Sequence, residues 1–165
     1  MTEYNNSPGV IRMDLVLFRD AVEHICRIVR VISQPRGNML LIGIGRFFSK
    51  VNRRAFICCV VWFSGGSGRQ SLARIAAYIC EYGVFQIEVS KNYRTQEFRE
   101  DLKGLYQMTG IDNKATTFLF NDTQVVQESF LEIINNVLSS GEVPSLYKPE
   151  EFEEVDKAVR DYLTL

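Results

Sequence analysis

From Leu15 onward apolar residues recur at helical spacing: Phe18, Val22, Ile25, Val29 and Ile32, with Asp20, Glu23, Arg27 and Arg30 between them. The pattern predicts a helix over 15–33, ended by Pro35 and Gly37. Ahead of it, residues 1–14 read as an irregular lead-in, because Asn5, Asn6, Ser7, Pro8 and Gly9 cluster as a turn signal. Met39 to Ile44 is a continuous apolar run closed by Gly43 and Gly45, the pattern of a strand buried on both faces in a parallel sheet. Further on, Leu72, Ile75, Ala76 and Ile79 mark a helix, and Val84, Phe85, Ile87 and Val89 a strand. Phe98, Leu102, Leu105 and Tyr106 mark a helix ended by Gly110. Thr116 to Phe120 is an apolar strand running into Asn121-Asp122. Phe130, Leu131, Ile134 and Leu138 mark another helix, stopped before Gly141. From Pro149 the chain is acidic (Glu150, Glu151, Glu153, Glu154) and then amphipathic to Leu165. Helices alternating with strands in this way predict an α/β fold with a parallel sheet.

Residues 46–64 break the alternation. Arg46, Lys50, Arg53 and Arg54 come without an acid, among Phe47, Phe48, Phe56, Trp62, Phe63 and the pair Cys58-Cys59. A dense glycine loop follows, Ser64-Gly65-Gly66-Ser67-Gly68-Arg69-Gln70-Ser71. Such a turn between a strand and a helix exposes backbone N–H groups at the positive end of the helix dipole, where phosphate binds, and a following cation adds charge. Gly65 to Arg69 supplies both, although the same residues also suit a plain flexible turn. Asp122, after the Thr116–Phe120 run, is placed as the acid of a nucleotide site; it equally suits the N-cap of a helix beginning near Gln124.

Composition narrows the choice. The 165 residues are 46% apolar and 24% charged, a globular composition, and 19 basic against 20 acidic residues leave a net charge of −1. No global field draws the chain to nucleic acid or an anionic membrane, so neither partner is expected. The longest apolar run, Ala55 to Phe63, falls far short of the ~20 residues that span a bilayer. Met1 to Pro8 lacks the apolar core of a secretory signal. Cys26, Cys58, Cys59 and Cys80 show no CxxC spacing and His24 is the single histidine, which argues against zinc and for a reducing, intracellular setting. His24 reads as a solvated or capping residue, Cys58-Cys59 as inert apolar filler, and the basic residues 46–54 as a solvated loop.

With the basic segment set aside, the motifs PRGNMLLIGIG, GSGRQSLARIAA, VFQIEVSKNY, FLFNDTQV and SGEVPSLY follow one another in order. This succession closely resembles the fourth AAA+ module of dynein heavy chains, the axonemal kind in particular. The resemblance implies a P-loop NTPase fold of the AAA+ large-subdomain type, a three-layer αβα arrangement with a parallel sheet. It divides the chain into the lead-in 1–14, a partial nucleotide-binding domain over 15–148 interrupted at 46–64, and an acidic C-terminal tail at 149–165. It implies ATP or ADP with Mg2+ as ligands, neighbouring AAA+ modules, other dynein subunits and the microtubule as partners, and the axoneme of a cilium or flagellum as location. Gly43, Gly66, Ser67, Gly68 and Arg69 match the Walker A phosphate loop, with Gln70 and Ser71 following. Arg69 stands where lysine is usual, and its planar fork places charge differently. Gln70 stands where a Ser or Thr hydroxyl usually meets magnesium, and Ser71 comes one position later. Asp122 matches the Walker B aspartate and would hold Mg2+. Thr123 stands where a hydrolysing module carries a glutamate, and threonine is no carboxylate base. No catalytic residue is therefore expected, and the module suits holding nucleotide better than cleaving it. Leu15, Val16 and Phe18 either lie near the adenine, as the resemblance implies, or belong to the helix core.

The chain departs from the resembled pattern twice. Gly43 and Gly68 are twenty-five positions apart instead of five, an excess of twenty residues that covers 45–64 or 46–65. Gly45-Arg46 can be written GGT AGG, with a GT donor, and Phe63-Ser64-Gly65 as TTC TCA GGN, with a CAG acceptor, which predicts an unspliced short intron or a misassigned gene model. The resemblance also implies that the later strands and the small helical subdomain are missing, leaving the sheet without its central strand and with unpaired edges. Three further expectations follow. Met39–Ile44 takes the strand slot before the glycine loop, with 46–64 as an excursion. The chain binds ATP more than a hundredfold more weakly than the same chain without 46–65. A non-functional or interaction-only fragment is the alternative to a nucleotide-binding module.

Overall fold

The computed structural model describes residues 1–35, 37–41, 58–63 and 67–163. In chain order these form α1 (Thr2–Asn6), α2 (Arg19–Ile32), β1 (Met39–Leu41), β2 (Cys58–Phe63), α3 (Ser67–Ile79), β3 (Gly83–Gln86), α4 (Thr95–Gly110), β4 (Thr116–Asn121), α5 (Glu128–Ser139) and α6 (Pro149–Leu163). The strands make one parallel sheet in the order β1-β2-β4-β3. Every strand-to-strand connection described is thus a crossover, as parallel pairing demands. Among the described residues no helix is long and apolar enough to cross a membrane.

β4 lies in the interior of the sheet, and its side chains alternate between two cores. Phe118 and Phe120 face a cluster with Phe98, Leu102 and Leu105 of α4 and Phe130, Ile133 and Ile134 of α5. Phe98 and Phe130 stack there with ring centroids 4.4 Å apart. Leu119 faces the opposite cluster, formed by Ile25, Ile28 and Ile32 of α2, Met39, and Ala73, Ile75 and Ala76 of α3. The small residues of α3 let it lie close to the sheet. The result is the three-layer αβα arrangement that the resemblance implied, with the parallel sheet that the alternating pattern predicted.

Cys58–Phe63 and Met39–Leu41 both enter the sheet, which corrects the expected strand placement. β2, not the Met39–Ile44 run, leads into α3 and lies between β1 and β4. Its pairing runs the full length of β4, from Cys58↔Thr116 to Phe63↔Asn121, whereas β1 pairs only from Met39↔Val61 to Leu41↔Phe63. The six consecutive pairs satisfy the buried backbone of β4 on that side. For the same reason the sheet does not lack its centre: β4 is paired on both sides, by β2 and by β3. Residues 42–57 and 64–66, with Gly43, Gly65 and Gly66, lie outside the described residues.

Helix starts shift in two places. α2 begins at Arg19, so Leu15, Val16 and Phe18 precede it in non-helical chain, with Val16 and Phe18 exposed. Asn5 holds that chain: its Nδ2 donates to the Met13 carbonyl and its Oδ1 accepts from the Met13 N–H, both at 3.0 Å. Part of the expected irregular lead-in is α1, whose Tyr4 is buried edge-on against Tyr78 of α3 at 5.1 Å, while Ser7 Oγ meets the Tyr78 hydroxyl at 2.9 Å. At the far end of α2, a Cβ on Gly37 would sit 1.9 Å from the Val31 carbonyl oxygen, so this turn requires glycine.

Candidate phosphate-binding site

β2 and β4 end level with each other, since Phe63 pairs with Asn121. The glycine turn and Asp122 therefore leave the same end of adjacent strands, the carboxyl end at which open parallel sheets bind ligands. α3 opens there at Ser67, and the positive end of its dipole favours an anion. Gly68 is exposed, and a Cβ built on it would meet nothing within 4 Å, so a phosphate can approach the backbone closely. Arg69 is half-buried on the same turn. Gly43 and Gly66, which the sequence assigned to this loop, lie outside the described residues.

Asp122 is exposed and stands on a rigid base. It opens a 3-10 turn over Asp122–Gln124 whose cap is Asn121. Asn121 Oδ1 accepts from the Gln124 N–H at 3.1 Å and from Thr123 Oγ1 at 2.6 Å, and Gln124 Oε1 accepts from the Asn121 N–H at 2.8 Å. This reciprocal capping corrects the alternative reading of Asp122 as an N-cap: Asn121 caps the turn, and α5 begins only at Glu128. Gln124 is itself buried and donates through Nε2 to the Ile87 carbonyl, tying the end of β4 to the segment after β3. The Asn-x-x-Gln spacing is the signal by which this capping role was readable in advance.

Gln70 lies on α3 but turns toward β3. Its Nε2 donates to Gln86 Oε1 at 2.7 Å, and Arg74 Nη2 donates to the same oxygen. Sequence reasoning gave no role to Gln86 or Arg74, although both lie within the quoted motifs VFQIEVSKNY and GSGRQSLARIAA. Ser71 is half-buried on the same helix. A cleft of 610 Å³ lies along this flank, between the lead-in, α3 and β3, lined by Tyr4, Pro8, Gln70, Arg74, Tyr78 and Gln86 among others. Gly68, Arg69 and Asp122 do not line it.

A magnesium ion asks for near-octahedral oxygen ligation, commonly including one or two carboxylates. Asp122 offers one carboxylate at this end of the sheet and Gln70 is drawn to Gln86; among the described residues there is no group of three His, Cys, Asp or Glu able to bind a metal.

A parallel sheet whose adjacent strands deliver a glycine turn with its helix and an acid to one end is the large-subdomain fold of P-loop AAA+ proteins. Comparison of the chain with known families agrees: the model described as P-loop containing dynein motor region D4 matches residues 13–57 and 48–165. The chain belongs to that family. It is 58% identical over 161 residues, 98% of its length, to dynein axonemal heavy chain 2 of Homo sapiens. It is 51% identical over 155 residues, 94% of its length, to the dynein-1-beta heavy chain of the flagellar inner arm I1 complex of Chlamydomonas reinhardtii. The dynein beta chain of the flagellar outer arm of the same organism is 45% identical over 161 residues. The chain spans 3% of the length of each of these relatives.

Proposed function

We propose that this chain is a nucleotide-binding module of an axonemal dynein heavy chain, the fourth AAA+ module, and that it holds ATP or ADP without cleaving it at an appreciable rate. The observation that carries the reading is the shared end of β2 and β4, where the open Gly68, Arg69 and the start of α3 meet the strand that delivers Asp122. In this reading Gly66, Ser67, Gly68 and Arg69 face the phosphates, with Gly43 the displaced first glycine of the loop. Gln70 and Ser71 follow on α3, and Asp122 stands opposite as the Walker B acid. Slow cleavage is supported by Thr123, whose hydroxyl donates to Asn121 Oδ1 and offers no base for water. Residues 15–148 form the partial nucleotide-binding domain, 46–64 an insertion in its Walker A loop, 1–14 a lead-in and 149–165 an acidic C-terminal tail that holds α6. In the parent the module sits among neighbouring AAA+ modules of a microtubule motor in the axoneme.

A second reading, an interaction-only or non-functional piece from a mis-spliced or truncated gene, is favoured by one observation: twenty-five positions separate Gly43 from Gly68. A thermal shift with ADP and ATP separates the two. Specific binding raises the melting temperature with ligand concentration, and no rise at saturating nucleotide refutes the nucleotide-binding reading. A parallel phosphate-release assay is expected to stay at background.

A further inference from the structure

We infer that the open edge of β3 and the cleft beside it bind an extended peptide segment, one that carries an acid two residues from an apolar side chain. β3 is the last strand of the sheet. Its Gly83 N–H donates to the Ala115 carbonyl at 2.8 Å. In a parallel ladder Gly83 and Phe85 then bond to β4, while Val84 and Gln86 direct their N–H and C=O groups away from it. Among the described residues neither Val84 nor Gln86 has a backbone hydrogen-bond partner. An added strand satisfies both, which is how main-chain pairing gives affinity at a sheet edge.

The cleft walls set which strand fits. Phe85 turns to Phe118, so Val84 and Gln86 share the opposite face, where Gln86 meets Gln70 and Arg74 of α3. Val84 is apolar and 40% exposed there. Arg74 donates to Gln86 Oε1 and, among the described residues, makes no ion pair. Glu88, the acid of the lining, is exposed and not paired with it. A guanidinium has only donors, and a carboxylate is the acceptor that suits its fork. Side chains on one face of an extended strand come two residues apart. A segment paired with β3 therefore sets an apolar side chain over Val84 and its next on that face, the acid, level with Gln86 and Arg74.

The facing wall excludes a second folded copy. It is formed by lead-in residues 8–11, held by Asn5 on Met13 and by Ser7 on Tyr78. The cleft of 610 Å³ between this wall and β3 admits one extended chain and not the edge of another sheet. The surface stands whether or not nucleotide binds, since Gly68, Arg69 and Asp122 do not line the cleft.

The test is NMR titration of the full chain with the peptide acetyl-Thr-Val-Thr-Glu-Thr-Val-Thr-amide, which offers the pattern in either direction. At saturation the Val84 and Gln86 amides should gain about tenfold or more hydrogen-exchange protection, while Gly83 and Phe85 keep theirs. Replacing the peptide's Glu by Gln should weaken binding about fivefold, the size of a partly exposed ion pair. R74M should bind the two peptides alike, and where R74M fails to fold, the peptide change on the unaltered chain decides. Unchanged protection at Val84 and Gln86, or equal affinity of the unaltered chain for both peptides, overturns the inference. So does a free chain that elutes as a dimer with those amides already protected, which would give the edge to a second copy.

Discussion

Removing residues 46–65 from this chain should unfold it, although the segment looks dispensable in sequence. The deletion takes out β2, which pairs at six positions with β4 and at three with β1. A parallel ladder carries about one hydrogen bond per paired residue, so about nine bonds are lost. At a net ~0.5–1.5 kcal/mol each they amount to roughly 5–13 kcal/mol. The whole stability of a domain this size is about 5–15 kcal/mol. Shortening the connection from α2 to α3 returns little, because closure entropy changes only with the logarithm of loop length. Removal is therefore expected to weaken nucleotide binding through loss of the fold, the reverse of the effect predicted from loop sterics alone. The assay is urea unfolding followed by circular dichroism on both chains, with size-exclusion chromatography to detect association. The shortened chain should show no cooperative transition. A cooperative transition of equal or higher midpoint would refute the reasoning, and would mean that Met39–Ile44 moves across to pair with β4.

Two further predictions concern single side chains. Thr117 is fully buried and its Oγ1 has no hydrogen-bond partner among the described residues, so Thr117→Val, which keeps the shape and removes the unpaired hydroxyl, should stabilise the chain by about 1 kcal/mol in urea unfolding; a loss of stability would point to an interaction of that hydroxyl. Glu151 on α6 accepts from Lys103 of α4 at 2.9 Å and from the Lys148 N–H at 2.8 Å, the Lys148 backbone bond and then the Lys103 bond holding its carboxyl below its ordinary value of 4.5. A depressed folded-state value means that the contribution is present above pH 4.5 and drains away as pH falls through the folded value, so hydrogen-exchange protection in α6, corrected for the intrinsic exchange rate, should fall on acidification through that window. Glu151→Gln should flatten this response, and an unchanged pH profile would refute the assignment.

Much of this protein is legible residue by residue. The periodicity of Leu72 to Ile79, the aromatic run at Thr116–Phe120 and the spacing of Phe98, Leu102 and Leu105 identify α3, β4 and α4, because burial of one stripe or of both strand faces leaves a local mark in the order of residues. The candidate phosphate site is equally local at Gly68 and Arg69, where the turn and the helix start are consecutive. Which apolar run stands beside β4 is another matter. Met39–Ile44 and Phe56–Phe63 are both apolar and β-rich, and nothing within either run states its partner. That choice is made by pairing with a strand more than fifty residues further on, so only the folded sheet makes it. The same holds for Gln70, whose role depends on Gln86 and Arg74, residues that a helix and a crossover bring to its side chain. Hydrophobic periodicity records which face is buried; hydrogen bonds between distant polar groups leave no period in the sequence, and the tertiary structure alone decides them.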